Sequence, residues 1–159
     1  MKKFGIVLMA VFLSSYGMAK WRVGTHINAE LEKSIDEVNK FREFYGILNY
    51  WLTLKEENKS MECYFTKHEY YDVAIYGMKD LGIHLYEELK NTMINVKYGI
   101  DKNADCIYSE IEVFEPNVGM PKVDVIVVTA IHYFDEIKRE LKRYTDSPVI
   151  SLSDVLKEV

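Results

Sequence analysis

The chain has 159 residues, with 20 Lys and Arg against 25 Asp and Glu, three prolines, and hydrophobic side chains at 48% of positions. That length suits one domain with appendages, since single cores usually occupy ~100–200 residues, and the apolar content excludes a disordered chain. A formal charge of −5 argues against a nucleic-acid partner, which rewards a basic face, and the two distant cysteines, Cys63 and Cys106, define neither a disulfide framework nor a zinc site.

The charge is unevenly distributed, and its distribution divides the chain. Residues 1–19 carry only Lys2 and Lys3. Residues 20–68 hold eight basic and eight acidic side chains, whereas residues 69–159 hold ten basic and seventeen acidic ones. The three segments read as a hydrophobic membrane anchor or signal segment, an amphipathic helical region, and an acidic α/β domain.

In the first segment, Lys2 and Lys3 precede an uncharged run from Phe4 to Ala19, which ends at Lys20-Trp21-Arg22. Such a run rises about 24 Å as a helix, short of the ~30 Å hydrocarbon core. Snorkelling lysines and an interfacial Trp21 make a short or tilted membrane span feasible. The rival reading is a secretory signal, cleaved near Ala19 after Gly17-Met18.

From Asn28 the pattern becomes helical. Leu31, Val38, Tyr45 and Leu52 recur at seven-residue steps, Phe41 and Leu48 fill the intermediate position, and Ser34 interrupts it. The plainer reading is an amphipathic helix packed on its own domain. The sharper one is a coiled coil that forms a homodimer through residues 28–54. Beyond Lys59, Ser60 followed by Glu62-Cys63-Tyr64-Phe65 marks one further short helical turn.

The acidic segment alternates strands and helices. Val73-Ala74-Ile75-Tyr76 is a short apolar run suited to a buried strand, and it leads through Gly77-Met78-Lys79-Asp80-Leu81-Gly82 into a helix carrying Leu81, Leu85 and Leu89. Ile94 to Ile100 predicts a second strand ending at Asp101, and Ile111 to Phe114 a short third. Val123 to Thr129 is the strongest strand, Phe134 to Tyr144 an amphipathic helix, Pro148 to Ser151 a last strand, and Leu152 to Val159 a terminal helix. The expected fold is α/β: a Rossmann-like, mostly parallel sheet of about five strands, preceded by an amphipathic helix and an N-terminal hydrophobic helix.

The glycine turn carries the functional signal. In a dinucleotide fingerprint the first glycine makes the turn, the second lets backbone approach the pyrophosphate, and the third permits close helix–strand packing. Gly77 and Gly82 hold the first and third places, and Lys79 stands in the middle one. The helix N-terminus still offers N–H groups to an anion, with Lys79 either neutralising a phosphate or closing the site. Asp101, near the ~20-residue spacing of a ribose-binding carboxylate, and Thr129 and Ala130, at the end of a central strand, complete the candidate cofactor site of Gly77, Met78, Lys79, Asp80, Leu81, Gly82, Asp101, Thr129 and Ala130. His132 and Ser151 are weaker candidates for the same rim.

On the stretches AIYGMKDLG, VKYGIDKNAD, VDVIVVTA, FDEIKRELKR and PVISLSDVL, Asp72 to Asp154 resembles the small Rossmann-like modules of bacterial surface-polysaccharide proteins, the nucleoside-diphosphate-sugar epimerase or dehydratase-like family. The resemblance covers just over half the chain. It implies binding of NAD(P) or a nucleotide sugar and a link to cell-surface polysaccharide synthesis, and the family usually has glycine where Lys79 stands. The hydrophobic N-terminus followed by a helix resembles membrane-attached versions of the module.

Catalytic groups are harder to find. Tyr98 and Lys102 match the Tyr-x-x-x-Lys of short-chain dehydrogenases, but that pair needs one helix face and here straddles a strand end. No His-Glu-x-x-His, Gly-x-Ser-x-Gly or Walker loop is present, so no metal is expected. The sequence therefore points to a membrane-tethered accessory or sensory module for a nucleotide. A scaffold with a decayed site and a minimal oxidoreductase or epimerase are the alternatives. A cytoplasmic C-terminal domain on a single-pass anchor fits the nucleotide, with secretion after signal cleavage as the alternative topology.

Overall fold

A computed structural model describes residues 2–117 and 119–159, with side chains from residue 28 onward. The chain divides into two compact units, Met1–Arg42 and Glu43–Val159. The 4–19 segment, expected as anchor or signal, lies outside the residues whose side chains are described. Among the described residues, no helix is long and apolar enough to cross a membrane.

Helix α1 spans Lys2–Glu56 and includes the expected amphipathic helix. In the first unit the stripe residues Leu31, Val38 and Phe41 are all exposed, as is the neighbouring Ile35. In the second unit Phe44, Ile47, Leu48, Trp51 and Leu54 face the core, while Tyr45 and Leu52 remain exposed. The packing face is therefore a second apolar row at i, i+3, i+4 and i+7, which shares only Leu48 with the seven-residue stripe.

Residues 43–68 belong to the same compact unit as the sheet. Ser60 caps α2 (Met61–Lys67) by accepting from the Glu62 N–H at 3.2 Å, which starts the short helix expected after that serine. Met61 and Phe65 of α2 are fully buried.

Five strands form one parallel sheet: β1 (Asp72–Tyr76), β2 (Asn95–Ile100), β3 (Val113–Phe114), β4 (Val125–Val128) and β5 (Val149–Ser151). Their order is β3-β2-β1-β4-β5, matching the first five strands of a Rossmann sheet. Helix α3 (Asp80–Leu89) joins β1 to β2, α4 (Phe134–Leu141) joins β4 to β5, and α5 (Leu152–Glu158) ends the chain. All strand pairs are parallel, where the sequence suggested mostly parallel ones.

Alternation along the strands builds two cores. Val73, Ile75, Val125 and Val127 pack with side chains of α1, α2, α3 and α5, whereas Ala74, Tyr76, Ile126 and Val128 pack on the other face with Ile137 and Leu141 of α4. Strand β2 breaks this alternation. Val73 pairs with Val96 but Ala74 pairs with Tyr98, which leaves Lys97 as an extra, bulged residue. The bulge turns Val96 and Tyr98 to opposite faces, each into its own core. Lys97 itself bridges back to Asp72 at 2.9 Å.

Candidate functional site

The turn after β1 obeys the steric logic of two of its three expected positions. Gly77 has φ 92, and a Cβ there would lie 2.7 Å from the Thr129 hydroxyl. A Cβ on Gly82 would lie 2.2 Å from the Gly77 carbonyl oxygen, so only glycine lets α3 pack this close to the end of β1. Lys79 is the N-cap of α3, in extended conformation, and its exposed side chain caps nothing.

The first intrahelical bond of α3 runs from the Ile83 N–H to the Lys79 carbonyl at 2.8 Å. The N–H groups of Asp80, Leu81 and Gly82 have no acceptor among the described residues. These are the orphan donors of a helix start, aligned with the positive end of the helix dipole. Lys79 contributes an exposed lysine at the N-cap position, and Asp80 an exposed carboxylate of opposite charge in the first helical turn.

Asp101 does not extend outward as a ribose-binding carboxylate is expected to. It is buried, and its two oxygens accept from the backbone N–H groups of Met78 at 3.3 Å and Asn103 at 3.0 Å. The carboxylate thereby ties the glycine turn to the end of β2. Met78 is itself buried and lies over Gly99 of β2, where a Cβ would come within 2.5 Å of the Met78 Cγ.

Thr129 is likewise turned inward. Its hydroxyl lies 2.7 Å from the Gly77 carbonyl oxygen and 3.0 Å from that of Tyr76, and its single proton is shared between them. This latch joins the ends of β1 and β4, the two strands between which the chain reverses its direction across the sheet. A ligand crevice of an open α/β sheet opens at such a switch point. Ala130 borders the same point, with its backbone nitrogen 3.5 Å from the position of a Gly77 Cβ. Gly77, Met78, Lys79, Asp80, Leu81, Gly82, Asp101, Thr129 and Ala130 thus converge on the carboxyl ends of β1, β2 and β4.

The weaker candidates have other partners. His132 lies 3.2 Å from the Glu43 carboxylate. Ser151 caps α5 by accepting from the Ser153 N–H at 3.2 Å. The Tyr98 hydroxyl donates to the Pro121 carbonyl at 2.5 Å, and Lys102 pairs with Glu140 at 2.9 Å, so these two side chains serve separate contacts. Burial pushes the Tyr98 hydroxyl up from its ordinary value and pushes that of Tyr76, at the end of β1, up to about 12. Both are neutral phenols at physiological pH. Among the described residues, no cluster of three or more His, Cys, Asp or Glu side chains is placed to hold a metal ion.

Two features of the site differ in how far sequence could have revealed them. The Thr129 latch has no signal, because a threonine after a strand is commonplace. Asp80 has one: an acidic residue in the first helical turn is a stabilising placement that also competes with an anion.

The fold and turn together define a Rossmann-like α/β domain with a two-glycine turn. No family model matches the chain, and no curated protein or solved structure is significantly similar to it.

Proposed function

We propose that residues 43–159 form a Rossmann-like module that takes the phosphate group of a nucleotide, NAD(P) or a nucleotide sugar, at the N-terminus of α3. The observation that carries this reading is the set of acceptor-free N–H groups at Asp80, Leu81 and Gly82, with a lysine at the N-cap position before them. Lys79 replaces the bare backbone of a middle glycine with a cation, so the phosphate meets a side chain as well as amides. The role is accessory or sensory, and residues 4–19 act as a membrane tether. Intact mass of the mature chain tests the tether, since a chain beginning at Lys20 removes it.

One observation favours a second reading, a protein-interaction scaffold with a decayed site. Asp101, the residue due to hold the ribose, accepts from the turn's own backbone instead. Calorimetry of the wild type, Lys79→Glu and Lys79→Gly against NAD(H), NADP(H) and UDP-sugars separates the two. Binding by the wild type that is lost in Lys79→Glu supports the first reading. Binding only by Lys79→Gly identifies a decayed site, and silence from all three removes the nucleotide.

A further inference from the structure

We propose that residues 31–42 of α1 form the seam of a parallel two-stranded coiled coil with a second copy of this chain. The inference stands apart from nucleotide binding and rests on the apolar stripe and on two charges beside it. Leu31 and Val38 occupy one core position of the heptad, Phe41 the other, and Ile35 flanks them. All four are between 52% and 69% exposed. These four side chains present on the order of 400 Å² of apolar surface, about half of the ~800 Å² that each partner contributes to a standard interface.

The charges select the occupant. Glu37 and Arg42 lie on the two flanks of the stripe, five residues apart, and neither forms an ion pair among the described residues. Five residues turn a helix by about 140°, so the two cannot meet on one helix. In a parallel pair this spacing is the one that brings a g-position acid of one helix to the e-position base of the other, and two-fold symmetry makes the contact twice. An antiparallel pairing would set acidic flank against acidic flank, with Glu37 facing the partner's glutamates. Ser34, at the first intermediate core position, weakens the seam without reversing this preference.

The test uses the full chain in mild detergent, which covers residues 4–19. Sedimentation equilibrium of the wild type is expected to give a dimer. Glu37→Arg or Arg42→Glu alone should raise the dissociation constant about tenfold, and the double exchange should restore it. In a Cys63→Ser, Cys106→Ser background, Val38→Cys should cross-link to itself on mild oxidation and Lys33→Cys, on the far side of the helix, should not. The substitutions lie on exposed positions, and circular dichroism confirms that each variant is folded. A wild type that stays monomeric at ~100 μM overturns the proposal. So does a dimer indifferent to the charge reversals, or one in which Val38→Cys fails to cross-link.

Discussion

The Trp51 indole N–H donates to the Glu88 carboxylate at 2.7 Å, across 37 residues of sequence. The other carboxylate oxygen accepts from the Met61 N–H at 3.0 Å and lies 3.1 Å from the Lys55 ammonium. One side chain, only 7% exposed, thus joins α1, the start of α2 and α3. It satisfies a buried indole donor and an orphan helix amide together. Glu88→Ala leaves both without an acceptor and is expected to cost about 2–4 kcal/mol. Glu88→Gln keeps one acceptor and should lose less. Urea unfolding followed by circular dichroism measures both, and equal losses would refute the hydrogen-bonding account.

Two glycines predict opposite outcomes for the same substitution. Gly82→Ala drives a methyl into the Gly77 carbonyl and must push α3 away from β1, at a cost of about 2–4 kcal/mol. Gly46 lies inside α1, and a methyl added there would meet nothing within 4 Å, so Gly46→Ala should stabilise by about 0.5–1 kcal/mol. Thermal midpoints of the two variants should therefore move in opposite directions. A neutral Gly82→Ala would show that the close helix–strand approach is dispensable.

Acid stability should depend on Asp72. Hydrogen bonds from Lys97 and then Asn95 hold its carboxyl below the usual carboxylate value. A carboxyl lowered on folding stabilises the native state above its unfolded value, and that contribution disappears as pH falls through the lowered folded value. The pair is largely solvated, so its worth is under about 1 kcal/mol. Asp72→Asn should lower the urea midpoint slightly at pH 6 and have a progressively smaller effect as the pH falls below the ordinary carboxylate range. A loss that stays the same as the pH falls would point to something other than the ion pair.

The Lys79 ammonium and Asp80 carboxylate have opposing effects on an anion at the start of α3. If phosphate binds there, Asp80→Asn should tighten it and Lys79→Glu should weaken it, each by roughly tenfold at low salt. Both effects should shrink at 0.5 M salt. Identical affinities in all three proteins would place the phosphate elsewhere.

Much of the sheet was legible because β-branched runs of four to seven residues have few other places to go. The segments 94–100, 123–129 and 148–151 contain β2, β4 and β5, and 73–76 covers β1 except for Asp72. The packing face of α1 was not legible, for a physical reason. Both sides of that helix are apolar after residue 44, and periodicity reports that a face is apolar without saying what covers it. Leu31, Val38, Phe41, Tyr45 and Leu52 of the more regular stripe stay exposed, whereas its Leu48 joins the less regular row with Trp51 and Leu54 that meets the core. At the site, Gly77 and Gly82 were legible from spacing alone, since the left-handed turn at Gly77 and the close approach of Gly82 to it are local; the contact of Gly77 with Thr129 was not. The orientations of Asp101 and Thr129 were not.

The order of strand, turn and helix, and the need for glycine at 77 and 82, follow from the sequence by itself, because they arise from contacts among near neighbours and from hydrophobic period. Only the tertiary structure decided that Asp101 faces the Met78 amide, that Thr129 closes the gap between β1 and β4, and that Glu88 binds three helices together. Those contacts join residues 23 to 52 positions apart. The two at the sheet depend on strand register, including the one-residue bulge at Lys97, and the third on how the helices pack; both are properties of the assembled fold rather than of any segment in it.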